Sequence, residues 1–128
     1  MISYLGNSII FISLVLTISF YLNLLRKIIP STTLSLKLIY YINLIPFGLL
    51  VYAFSISDFT LLNVVENSYI DDPIFYKVTS AWGSHEGSIL LWVFLINLFG
   101  VFFLNKNQIV EIHKNILFIS TLFILYVI

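Results

Sequence analysis

The sequence predicts an all-α integral membrane protein, a bundle of about four transmembrane helices with the fourth incomplete. Three observations predict it. Hydrophobic residues make up 60% of the 128-residue chain and charged residues only 9%, where a soluble domain carries about 25% charged residues. Mean hydropathy is +1.05. The apolar residues are gathered into four long stretches separated by the few charges. A surface so poor in charge would aggregate in water, so it must face lipid. A soluble enzyme is therefore excluded. A nucleic-acid role finds no support, because the few bases are scattered and form no patch.

The elements follow in chain order. The first stretch, 5–25, has no charge and is long enough to cross about 30 Å of hydrocarbon. No basic n-region precedes it and no small-residue cleavage site follows it, so it reads as a retained span rather than a signal peptide. The second stretch, 38–57, is again uncharged. Pro46 inside it removes one backbone donor and predicts a kink. The third is 87–104. Asn43 and Asn97 lie within spans and are expected to hydrogen-bond to neighbouring helices. The fourth, 115–128, has only 14 residues. Either it starts earlier, near Ile109, and draws Glu111, His113 and Lys114 inward, or the chain is one piece of a larger protein, the reading favoured here. His113, beside Lys114, reads as a solvated loop residue.

Charge sorting sets the expected orientation. Arg26, Lys27, Lys37, Lys106 and Lys114 fall on one side of the spans, and only Lys77 falls on the other. The positive-inside rule puts the five bases in the cytoplasm or matrix. The N-terminus and the loop 58–86 then face the periplasm or intermembrane space. Asp58, Glu66, Asp71, Asp72 and Glu86 share that outer side.

The chain has no cysteine, so disulfides, thiolate metal sites and CxxC redox pairs are absent. The apolar set leans on Ile, Leu, Phe and Tyr with many Asn, residues of AT-rich codons. That composition suits an organelle or endosymbiont genome, and an ordinary AT-rich bacterium equally.

One motif carries chemical information: Trp82, Gly83, Ser84, His85, Glu86, Gly87 and Ser88, followed by Ile89-Leu90-Leu91-Trp92. Physically it is the entry to the third helix. Ser84 or Ser88 can cap the free N–H groups, and Glu86 suits the positive end of the helix dipole. Gly83 and Gly87 permit tight turning or close backbone approach, and Trp82 suits the interfacial belt. A capped helix entry with an interfacial anchor accounts for all of this. The alternative is an outer-face site in which His85 ligates a heme iron, relays protons or meets a quinol oxygen. Adjacent ionisable residues at a membrane boundary favour a functional role. No metal site is expected, because zinc needs more ligands than this loop provides.

WGSHEGSILLW at 82–92 closely resembles the WGxHEGSLLLW stretch of the CcmF-type heme lyase family of cytochrome c maturation. The likeness extends along the chain. Leu5-Gly6-Asn7 resembles the family's N-terminal "IGN", and Asp58-Phe59-Thr60 its "NDFT". Val64-Val65-Glu66-Asn67-Ser68 is similar to "YVAxNS", and Phe75-Tyr76-Lys77-Val78 to "YYRVAA". The resemblance implies a part in joining heme vinyl groups to the two cysteines of a CxxCH motif in apocytochrome c, on the outer side of the membrane. It implies heme as cofactor, held by the full assembly. The partners it implies are a heme chaperone, apocytochrome c and the remaining part of the heme lyase, as another chain or as further sequence. The family's tryptophan-rich segment is missing, since Trp82 and Trp92 are the only tryptophans. The family's heme-ligating histidines lie further along, so neither His85 nor His113 is equated with them. The chain is not expected to be catalytic alone. Split versions of the family in some mitochondria suit both the length and the composition, and favour the mitochondrial inner membrane over the bacterial one. A different class of reading is a small non-catalytic transmembrane subunit of a respiratory or transport complex.

Overall fold

The computed structural model describes residues 2–26, 33–104 and 110–127. Six helices follow in order: α1 (Ile2–Arg26), α2 (Thr33–Ser55), α3 (Leu62–Asn67), α4 (Ile74–Ser80), α5 (His85–Phe103) and α6 (Val110–Val127). There is no strand among the described residues. Tyr4–Asn23, Leu36–Ser55 and His85–Phe103 are long and apolar enough to cross a membrane, and Ile112–Val127 is a shorter apolar helix. The three expected spans are thus present, each with boundaries moved by a few residues. Lys27 and Lys106, two of the bases that set the expected orientation, lie outside the described residues.

Three expectations are corrected. The fourth helix starts at Val110, not Asn115, so Glu111, His113 and Lys114 belong to it. His113 is not a solvated loop residue: it is buried, and its Nδ1 lies 2.7 Å from the Tyr40 hydroxyl of α2. That bond satisfies one ring nitrogen inside the bundle, which lowers the penalty of taking it out of water. The segment 58–86 is also not a plain loop, because α3, α4 and the first residues of α5 lie within it.

The four long helices form an up-down-up-down bundle. α1 packs on α2, α2 on α5, α5 on α6, and α6 back on α1. The pairing Phe47–Phe94, Asn43–Asn97 and Tyr40–Gly100 shows α2 and α5 running antiparallel in a fixed register. Tyr40 crosses α5 at Gly100, where an added Cβ would sit 2.8 Å from the ring. The α2 helix continues through Pro46 to Ser55.

Each long helix contributes one buried polar side chain to a belt across the bundle. Thr17 of α1 donates to the Ser13 carbonyl at 2.6 Å and accepts from Asn43 Nδ2 of α2 at 3.2 Å. Asn43 Nδ2 also donates to Asn97 Oδ1 of α5 at 3.0 Å. Asn97 Nδ2 donates to Ser120 Oγ of α6 at 2.9 Å and to the Val93 carbonyl at 2.7 Å. The expected interhelical bonds of Asn43 and Asn97 are therefore present, and they meet each other. In lipid, apolar faces gain little by choosing one helix over another, so small contacts and polar bonds select the partners.

The C-terminal end of α2 closes with a Schellman turn. Ser57 N–H donates to Phe54 O at 3.1 Å and Asp58 N–H to Ala53 O at 2.9 Å, which places Ser57 at φ 55°, a position usually held by glycine. Its buried hydroxyl has no hydrogen-bond partner. Thr60 then donates its hydroxyl (2.7 Å) and its N–H (3.1 Å) to Asp58 Oδ1. These bonds, the side-chain one first, hold the Asp58 carboxyl below the usual carboxylate range.

Replacing Asn97 with Leu should lower stability by about 1–2 kcal/mol, because Asn43 and Ser120 lose their shared partner. Thermal unfolding in detergent followed by circular dichroism checks this. Ser57→Gly should raise stability by about 1 kcal/mol, since it relieves a left-handed backbone at a non-glycine residue. The same melt reads it as an upward shift.

Candidate functional site

The expected motif lies at the corner between α4 and α5. α4 ends at Ser80, and Ala81 N–H donates to Val78 O at 3.2 Å. Ser84 is the N-cap of α5: its backbone is extended, and its Oγ accepts from Gly87 N–H at 3.1 Å. Ser88 does not cap the helix. Its hydroxyl reaches back to Trp82 O and Ser84 O, each at 2.8 Å. These bonds lock the four residues between the two helices.

Gly87 is buried against this turn. A Cβ there would overlap the Ala81 carbonyl oxygen and lie 2.8 Å from Ser84 Oγ. Only glycine lets the backbone of α5 pass so close to the end of α4. Gly83 is different, since its Cβ would meet Ser80 O at an ordinary 3.4 Å. Of the two expected tight positions, the geometry requires glycine only at Gly87.

The remaining motif residues face outward. His85 and Glu86 are exposed on the first turn of α5, and Trp82 is 40% exposed. The His85 ring rests against Tyr126 near the end of α6, with centroids 5.4 Å apart. Glu86 Oε2 accepts a long 3.5 Å contact from Asn63 Nδ2 of α3. Tyr126 and Asn63 were not legible as site residues, since each is brought to the motif by a different helix. The motif therefore divides into a buried half that builds the corner and an exposed half that could meet another molecule.

The other stretches singled out in the sequence lie at this same end. Gly6, Asn7 and Ile10 of α1 line a cavity of about 130 Å³ with Pro46, Leu50, Leu61, Asn63 and Leu90. Asp58 and Thr60 close α2 beside it, and Val64 of α3 is buried with Phe54 and Leu90. Folding thus gathers segments spread over some 80 residues into one cap on the bundle.

Among the described residues there is no group of three or more His, Cys, Asp or Glu side chains that could hold a metal. A heme ligated by two histidines does not fit this chain. His113 and Tyr40 sit at the level of Gly100, about 22 Å along α5 from His85. Only His85 offers an open imidazole.

The fold and the corner define a class: a multi-span helical membrane protein with a folded helical cap at one end of its bundle. Comparison with known proteins supplies the particular relationship. The chain is 57% identical over 56 residues to the cytochrome c-type biogenesis protein ccl1 of Rhodobacter capsulatus, a stretch covering 44% of this chain and 9% of that protein. It is 39% identical over 89 residues to the cytochrome c-type biogenesis protein CcmF of Haemophilus influenzae, covering 65% of this chain and 14% of that one. With CcmF of Escherichia coli it shares 49% identity over 51 residues, 40% of this chain and 8% of the other. No family model matches and no solved structure matches. The chain is a homologue of the CcmF-type cytochrome c-type biogenesis proteins, as the resemblance in its motifs implied. It spans only a small fraction of the length of these curated relatives.

Gly87→Ala should cost about 3 kcal/mol or more, because backbone rather than a flexible side chain blocks the new methyl. Gly83→Ala should be close to neutral. Parallel melts of the two variants in detergent separate them, and equal behaviour would contradict the corner geometry.

Proposed function

We propose that this chain is the N-terminal part of a heme lyase, supporting covalent attachment of heme to apocytochrome c on the outer side of the membrane. The observation that carries the reading is its homology to proteins named for cytochrome c biogenesis. The exposed half of the corner motif supports it, with Trp82, His85 and Glu86 open at the end of the bundle where the other family-like stretches gather. The homologues do not favour a small subunit of a respiratory or transport complex.

In this reading the cap faces the periplasm or intermembrane space. The distribution of basic residues supports that orientation. The mitochondrial inner membrane is the favoured compartment on composition, and the bacterial inner membrane is the alternative. The assembly includes the remaining part of the heme lyase, a heme chaperone and apocytochrome c.

Heme, when bound to the assembly, supplies the iron and the vinyl groups of the attachment reaction. This chain's contribution is positional. The Ser84 cap and Gly87 fix the start of α5, which holds His85 and Glu86 side by side at the membrane boundary. Tyr126 limits the His85 ring from one side. The chain's own histidines do not enclose a heme, so it acts with partner residues and not alone.

The test is substitution of His85 by Ala and, separately, of Glu86 by Gln in cells that make c-type cytochromes. Covalently bound heme in the cytochromes should fall while the membrane level of the chain is unchanged. The wild-type chain should co-purify with a second, tryptophan-rich membrane segment and heme absorbance. Unchanged maturation alongside a specific respiratory or transport defect would overturn the proposal.

A further inference from the structure

From the end of α3 into the first turn of α4 the chain forms a knuckle, and its side chains are unlike those of a water-facing turn. Tyr69 is 77% exposed, Ile70 70%, Ile74 68%, Phe75 71% and Tyr76 62%. Five large, exposed apolar side chains within eight residues are a cluster of the kind that marks an interaction surface.

The knuckle is built to hold that display. Asp72 accepts from Tyr69 N–H at 2.9 Å, and Asp72 N–H donates to Tyr69 O at 3.3 Å. Lys77 Nζ donates to Ile70 O at 2.7 Å, and Tyr76 N–H to Pro73 O at 2.9 Å. The turn satisfies these backbone groups itself, which lowers the cost of taking it out of water.

We propose that the Tyr69–Tyr76 knuckle is a membrane-interface anchor, seated in the headgroup layer of the bilayer that the bundle crosses. Its position limits how far it can stand from that layer. Val64 of α3 is fully buried with Phe54 and Leu90, so the knuckle starts from the end of the bundle. α4 packs on α2 and is followed by only four residues before α5. Both anchorages are ends of lipid-crossing helices.

The chemistry fits lipid. Tyr69 and Tyr76 carry an apolar ring with a polar tip, the residue type that settles at membrane interfaces. Phe75 and Ile74 supply the purely apolar depth. Tyr52 and Ile56 near the C-terminal end of α2, and Trp82 and Tyr126 at the same end of the bundle, are exposed as well. Across α3 and α4, Glu66, Asp71 and Asp72 stand against the single base Lys77. Attraction to anionic headgroups is therefore not the driving force, and a zwitterionic bilayer suffices. The proposal requires only that the bundle crosses a membrane, and it stands apart from the heme-attachment reading.

The absence of cysteine makes the test direct. Single variants Ile70→Cys, Ile74→Cys and Phe75→Cys are spin-labelled in the full chain and reconstituted into phosphatidylcholine liposomes. Glu66→Cys serves as the water-side reference and Phe99→Cys, on the exposed face of α5, as the lipid reference. Accessibility to molecular oxygen is compared with accessibility to a water-soluble nickel chelate. The knuckle labels should show an oxygen-to-nickel ratio several-fold above that at Glu66 and approaching that at Phe99. A ratio at the Glu66 level would overturn the proposal by placing the knuckle in water. Labels immobilised and shielded from both reagents would also overturn it, because another protein surface would then cover the patch.

Discussion

The rest of the structure depends on one constraint: every polar group carried into the bilayer must find its partner inside the bundle. Lipid offers no hydrogen bonds, and apolar helices do not sort themselves by hydrophobicity once they are surrounded by hydrocarbon. The belt through Thr17, Asn43, Asn97 and Ser120 meets this constraint and in doing so orders the four helices. Asn43 spends both amide hydrogens on neighbouring helices. Asn97 divides its two between α6 and its own backbone. A slip of either helix by one residue would break several of these bonds together. The belt therefore sets register as well as association.

The same requirement operates toward the other end of the bundle. Tyr40 is fully buried, and its ring has space because residue 100 is glycine. The hydroxyl then meets His113, which lets a helix carrying an ionisable ring start well before the purely apolar residues do. Three residues on three helices thus form one unit: Gly100 makes room, Tyr40 fills it, and His113 completes the polar contact.

At the cap the logic changes, because water is within reach and turns can be tight. Ser84, Gly87 and Ser88 spend their chemistry on the corner, so the likeness of this motif to that of the homologues has a structural component independent of heme. His85, Glu86 and Trp82 are not consumed in that way. The corner sets their spacing, and α3 and α6 supply Asn63 and Tyr126 beside them. A site on the cap therefore draws on residues as far apart in the chain as Gly6 and Tyr126, although its most recognisable residues are consecutive.

The sequence alone determined the all-α membrane class, three of the spans, the capped start of the third span and the relationship to cytochrome c biogenesis proteins. These are properties of composition, of apolar length and of residues close together in the chain, and lipid enforces them locally. Tertiary structure decided what depends on distant residues. His113 looked solvated beside Lys114, and only the approach of Tyr40 buries it. Thr17 and Ser120 carried no signal, because a hydroxyl in a span can bond to its own helix. Segment 58–86 read as a loop because its two helices are too short to show a clear period. They are held by Val64 in the core and by the packing of α4 on α2, contacts that no window of sequence contains.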